Sequence, residues 1–231
     1  MASGRARVVA EFAGTFLLVL FAAGAVVATA RFNGAPIALV CGISSGVILA
    51  AVIWGLTPIS GGHVNPALTI ALAYLGRFPW RWVPAYVLAQ LAGSALAALA
   101  LLWLLGDFGA MGANVPNAAL GISASGAFGL EAMLSFVMMA VILLCGRSDH
   151  PTIDTGAIRI GAIVGLEVML FGPIAGAAMN PARAFGPYLV MGDWSDFWIY
   201  VAGPLVGLSA AAMIYRRAER LVTRHLQVSC D

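Results

Sequence analysis

Ser60-Gly61-Gly62-His63-Val64-Asn65-Pro66-Ala67 and Gly176-Ala177-Ala178-Met179-Asn180-Pro181-Ala182-Arg183 decide how this chain folds. Each carries Asn-Pro-Ala, one copy per half of the chain, and both lie in apolar sequence. Asn is a favoured helix N-cap. Pro is favoured as the first helical residue, because the N–H it lacks would be unpaired there. Each copy therefore reads as the start of a helix. A lone copy reads most simply as an ordinary cap. Two copies at matching places in a repeated hydrophobic layout point instead to paired short helices that begin mid-membrane, the mark of a substrate path between inverted repeats.

Composition agrees with a membrane setting. Of 231 residues, 61% are hydrophobic and 10% are charged, which is far too apolar for a soluble domain. The apolar runs are long and do not alternate, so helices are expected rather than a barrel. The first run, near 8–30, is too long for a cleavable signal and lacks a polar cleavage break. Cys41, Cys145 and Cys230 have no metal-ligand spacing; two of them sit in apolar runs and read as small hydrophobes. A net charge of +2 gives no argument for nucleic acid as a partner.

Six runs are long enough to cross roughly 30 Å of hydrocarbon: near 8–30, 36–57, 83–105, 127–147, 157–174 and 196–216. The segments opening at Asn65 and Asn180, near 65–75 and 180–190, are shorter. About ten helical residues at about 1.5 Å each reach halfway across, so two of them entering from opposite faces meet near the midplane. The halves match further. Glu11 corresponds to Glu131, Tyr86 to Tyr200, Gln90 to Pro204 and Gly93 to Gly207. Three helices per half means that the second half inserts upside down.

The cations set the orientation. All twelve are Arg. With six alternating spans and cytoplasmic termini, Arg5, Arg7, Arg77, Arg81, Arg147, Arg159, Arg216, Arg217, Arg220 and Arg224 fall on one side. Only Arg31 and Arg183 fall on the other, and the positive-inside rule then places both termini in the cytoplasm. Gly, Ala and Ser abound in the spans, as in the run from Ala89 to Ala100, and let membrane helices approach closely. Residues 106–126 read as a long outer loop joining the halves, and the tail from Arg216 as polar and cytoplasmic.

The two Asn-Pro-Ala copies, Arg183, Glu11 with Gly14-Thr15-Phe16, and Gln90 together resemble the aquaporin (major intrinsic protein) family over nearly the whole chain. The resemblance implies an all-α membrane fold of six transmembrane helices plus two re-entrant half-helices in an inverted 3+3 repeat. Residues 1–231 then form a single channel domain, with repeats 8–105 and 127–216 joined by the outer loop 106–126. It further implies a multi-pass protein of the cell membrane and a homotetramer with one pore per protomer. The partners are the lipid bilayer, water and small uncharged solutes, and no cofactor is expected.

Residue by residue, Asn65, Pro66, Ala67 and Asn180, Pro181, Ala182 would meet at the pore centre. There the Asn amides and the positive ends of both helix dipoles face single-file water. Arg183 is a permanent charge at membrane depth, which is costly and marks a functional site. Glu11 and Glu131 would accept hydrogen bonds from the irregular backbone before each half-helix, where unpaired N–H groups are expensive. His63 would hydrogen-bond within its loop; a metal or pH-sensing role is the lesser alternative, since no second ligand lies at a suitable spacing.

The family's constriction maps onto Ser45, Val168, Ala177 and Arg183. Water-selective members carry a Phe and a His at the first two positions. Glycerol facilitators carry an aromatic pair and an Asp after the Arg, where this chain has Ala184. Ser, Val, Ala and Arg make a wider filter, similar to that of the nodulin-like intrinsic proteins and their bacterial relatives. The implied function is a passive channel for water, glycerol and bulky hydroxylated solutes such as boric, silicic or arsenious acid. The alternatives are a water channel with a permissive filter, a non-conducting scaffold on the same fold, or a coupled transporter needing paired ionisable groups. No nucleophile–base set, phosphate loop or metal cluster suggests an enzyme. Glu167, mid-span beside Val168, is read either as a structural hydrogen-bonding group or as a pore-side acceptor.

Overall fold

The computed structural model describes residues 2–32, 36–146 and 153–228, with side chains throughout except at 153–154 and 222–228. Arg147, Cys230 and the side chain of Arg224 lie outside the described part. The helices are α1 (Gly4–Phe32), α2 (Ile37–Leu56), α3 (Pro66–Tyr74), α4 (Val83–Leu105), α5 (Ala124–Cys145), α6 (Ile153–Ala175), α7 (Pro181–Met191) and α8 (Ile199–Val228). Among the described residues six are long and apolar enough to cross a membrane: α1, α2, α4, α5, α6 and α8. The other two, α3 and α7, have nine and eleven residues. They are therefore about 14 and 17 Å long, roughly half a bilayer.

The packing repeats with the sequence. α1 lies against α4, and α5 lies against α8; α2 and α6 join the two halves. Each crossing is closed by small residues. A Cβ on Gly93 of α4 would strike the carbonyl oxygen of Phe12, and one on Gly207 of α8 would strike that of Ala132. These two glycines are repeat equivalents, and their targets directly follow Glu11 and Glu131. Close helix approach in lipid rests on such packing, since lipid is as apolar as the side chains.

At the α2–α6 crossing a Cβ on Gly46 would stand 2.7 Å from the carbonyl oxygen of Gly161 and 3.1 Å from the Cα of Gly165. Gly46→Val is therefore expected to push the halves apart and cost about 1–3 kcal/mol as an overpacking change. Gly55→Val, on the same helix, is the control, because a Cβ there meets nothing within 4 Å. Thermal unfolding in detergent should show the first destabilised and the second near wild type. Equal behaviour of the two would refute the tight crossing.

Candidate functional site

The loops before α3 and α7 take the same unusual backbone. Gly61, Gly62 and Val64 have φ of 96°, 61° and 41°; Gly176, Ala177 and Met179 have 94°, 49° and 51°. Three of these six left-handed positions are not glycine, and Val64 is β-branched, so the surroundings must hold the strain. Asn65 and Asn180 then return to extended backbone, both at φ −153°, and cap the helices that follow. Oδ1 of Asn65 accepts from the N–H groups of Ala67 (2.9 Å) and Leu68 (3.2 Å). Oδ1 of Asn180 accepts from those of Ala182 (2.9 Å) and Arg183 (3.3 Å).

The amide nitrogens join the halves. Nδ2 of Asn65 donates to the carbonyl oxygen of Met179 at 2.9 Å, and Nδ2 of Asn180 donates to that of Val64 at 2.8 Å. An Asn amide has two N–H bonds, so each keeps one beyond this exchange. Both residues border the same narrow cavity.

Two buried carboxylates hold the strained loops, with different sets of donors. Oε1 of Glu11 accepts from the Ser60 hydroxyl (2.7 Å) and the His63 N–H (3.0 Å). Its Oε2 accepts from the Val64 N–H (2.7 Å) and from Nε2 of Gln90 (2.7 Å). Glu131 accepts from the N–H groups of Ala178 and Met179, each at 2.8 Å. Tyrosines brace both loops from behind: the Tyr86 hydroxyl donates to the Ser60 carbonyl at 2.8 Å, and that of Tyr200 donates to the Ala175 carbonyl at 2.9 Å. His63 pairs through Nδ1 with the Thr69 hydroxyl at 3.2 Å, a partner in α3 rather than in its own loop. Its ring packs on Phe78 and Tyr86 with centroids 4.7 and 5.3 Å away.

Two cavities run through the fold. The narrower, of about 60 Å³, is bordered by Asn65, Asn180, His63 and apolar residues of α1, α2, α5 and α6. The wider, of about 350 Å³, is bordered by Cys41, Asn114 and the connection between the halves. The residues common to both are Ala22, Ser45, Val168, Ala177 and Arg183. Ser45, Val168, Ala177 and Arg183 thus come together from α2, α6, the second loop and α7 at one level, where the cavities meet. Nη1 of Arg183 donates to the carbonyl oxygen of Gly112 at 2.9 Å, which fixes the guanidinium at the border. Ser94 supports α7 from behind: it accepts from the Gly186 N–H at 2.8 Å and donates to the Ala182 carbonyl.

Three contributors escaped the sequence reading. Ala22 on α1 lies at the level of the four. Gly112 supplies the acceptor for Arg183. Asn114 ties the connecting segment to the second loop: its Nδ2 donates to the Gly176 carbonyl at 2.7 Å, and its carbonyl accepts from the Tyr188 hydroxyl at 2.7 Å. Within the segment 106–126, residues 112–118 are therefore a wall of the wide cavity as well as part of a connection. Small side chain, backbone carbonyl and loop Asn carry no periodic or capping signal that would have flagged them. Among the described residues the Glu167 carboxylate has no hydrogen-bond partner, and Glu167 is not among those bordering either cavity.

Comparison with known proteins agrees with this architecture. The profile of the family described as "Major intrinsic protein" matches residues 2–215. "Aquaporin NIP1-3" of Oryza sativa subsp. japonica is 37% identical over 215 residues, covering 90% of this chain and 72% of the rice protein. "Aquaporin NIP3-1" of Zea mays is 37% identical over 207 residues, covering 90% of this chain and 68% of the maize protein. Among solved structures, the aquaglyceroporin from Plasmodium falciparum superposes with a TM-score of 0.83 over 92% of this chain and 96% of its own, at 24% identity, a likeness of fold. With six spanning helices, two half-helices meeting at paired Asn-Pro-Ala turns, and a family match over almost its full length, this chain belongs to the major intrinsic protein (aquaporin) family.

Proposed function

We propose that this protein is a passive channel whose selectivity filter is Ser45, Val168, Ala177 and Arg183, wide enough for glycerol and for boric, silicic or arsenious acid besides water. The observation that carries the reading is that these four side chains border both cavities, so a solute going from one to the other must pass them. None is aromatic or His, and Ala177 is the smallest side chain after Gly. Arg183 and the Ser45 hydroxyl supply polar contacts, and Val168 and Ala177 leave room for a trigonal or tetrahedral hydroxide.

Ions are excluded by two features. The Arg183 guanidinium repels cations at the filter. At the narrow cavity, the remaining N–H groups of Asn65 and Asn180 and the N-terminal ends of both half-helices bind the oxygen of a passing water. Its own hydrogens are then turned outward, and it cannot relay a proton. Glu11, Glu131 and His63 serve as loop supports. The setting that fits is a homotetramer in the cell membrane with both termini cytoplasmic, in keeping with the Arg distribution.

Purified protein in liposomes tests this by light scattering with water, glycerol, urea and boric acid side by side. Glycerol and boric acid flux should exceed that of empty liposomes, without proton or cation current above background. A wild type that excludes every solute larger than water would overturn the wide filter. A current coupled to solute would overturn the channel itself and favour a coupled transporter.

A further inference from the structure

Glu167 is 4% exposed, and neither of its carboxylate oxygens has a hydrogen-bond partner among the described residues. A buried polar group in this state calls for an explanation, and for an ionised carboxylate the cost of such burial is large. It lies in α6 within electrostatic reach of Glu131 on α5. The other charged or titratable groups around this pocket, among the described residues, are Arg183 and Tyr188 of α7, Cys41 of α2 and Tyr200 of α8. Arg183 is engaged at the Gly112 carbonyl. Glu131, with an N–H donor on each oxygen, is the carboxylate equipped to stay an anion.

The internal repeat shows what Glu167 replaces. In the first half, Glu11 has two side-chain donors, Ser60 and Gln90, besides two backbone N–H groups. In the second half those places hold Ala175 and Pro204, neither of which has a side-chain donor. Thirteen residues before Asn65 stands Val52; thirteen before Asn180 stands Glu167. Where one half has an apolar side chain and a Gln donor, the other has a Pro and a carboxyl group.

We propose that Glu167 is held as the neutral acid and is the side-chain hydrogen-bond donor for Glu131, a positioning residue for the second pore loop as Gln90 is for the first. Glu167 and Glu131 are both buried and lie within electrostatic reach of one another, and two such carboxylates do not both ionise readily at membrane depth, so one proton is kept by the pair. Its donation to Glu131, through one bridging water because neither Glu167 oxygen has a direct partner, steadies the backbone that carries Ala177 and Asn180. The transport consequence rests on the filter reading above; the protonation does not, and the two arms of the test separate them.

Infrared spectra of the protein in bilayers at neutral pH should contain a protonated-carboxyl carbonyl band that Glu167→Gln removes. Absence of such a difference would overturn the neutral acid. In proteoliposomes, Glu167→Gln, which keeps a neutral donor, should match wild-type water permeability per folded protein. Glu167→Val, which copies Val52, should lose permeability several-fold. Equal permeability of the Val and Gln variants would overturn the positioning role, even with the band present. As alkaline pH titrates the band away, wild-type permeability should fall while that of Glu167→Gln stays level; a wild-type profile that is level while the band disappears would also overturn it. If Glu167→Val does not fold, the Gln variant decides through the band and the pH profile.

Discussion

Replacing Ser45 by Phe and Val168 by His in one chain should leave water permeation in place and abolish most glycerol and boric acid flux. Both positions border both cavities, so bulk added there enters the level that the two have in common among the described residues. Steric exclusion is steep. Once the opening is smaller than the solute, entry requires overlap with walls packed as densely as a crystal, and those relax little. Arg183 keeps its bond to the Gly112 carbonyl in either form, so a water still finds a donor. Permeability to water, glycerol and boric acid should be normalised to folded protein, because Ser45 is itself buried and a Phe there presses on α2 packing. Were the double variant to pass glycerol as the wild type does, the constriction would lie elsewhere, with the Ala22 level and the wall around Asn114 the first places to look.

The second large effect concerns stability. Glu131→Ala should lower folded yield and thermal stability by stranding two buried backbone donors, at about 1–3 kcal/mol each. Glu11→Ala should be worse, since it strands two backbone donors and also removes an acceptor from the Ser60 and Gln90 side chains. That loss approaches the roughly 5–15 kcal/mol by which folded domains are held. The rank order is the informative part, and fluorescence-monitored size exclusion with thermal unfolding reads it directly. A Glu131→Ala protein of normal stability that changes only which solutes pass would make Glu131 a pore residue rather than a loop support.

These expectations separate what local sequence encodes from what it does not. Asn65-Pro66 and Asn180-Pro181 announce their helices because capping is local: donor and acceptor lie two or three residues apart. The six spans are legible for a similar reason, since hydrocarbon thickness sets a run length that can be counted. Glu11 and Glu131 stand out because charge is rare in such runs. Gly112 and Ala22 do not, because every residue has a carbonyl and most helices have alanines. Only the fold shows that the Gly112 carbonyl faces a guanidinium from a residue 71 positions away. Val64 and Met179 are the hardest to anticipate: left-handed backbone favours Gly, and residues that adopt it under outside restraint leave no trace in composition.

The reciprocal amide bonds at the midplane carry a consequence for how the molecule is made. Asn65 needs the Met179 carbonyl, and the Val64 carbonyl needs Asn180. When the first repeat leaves the ribosome, its partner loop does not yet exist, and more than a hundred residues remain to be synthesised before it does. The first half-helix must therefore wait, with a polar tip unsatisfied, either outside the hydrocarbon or in the shelter of the insertion machinery. Seating of the two half-helices is then a single late event, common to both, that follows insertion of the long spans. A chain truncated before residue 176 should integrate its long helices yet leave the segment after Asn65 open to proteases and labelling reagents.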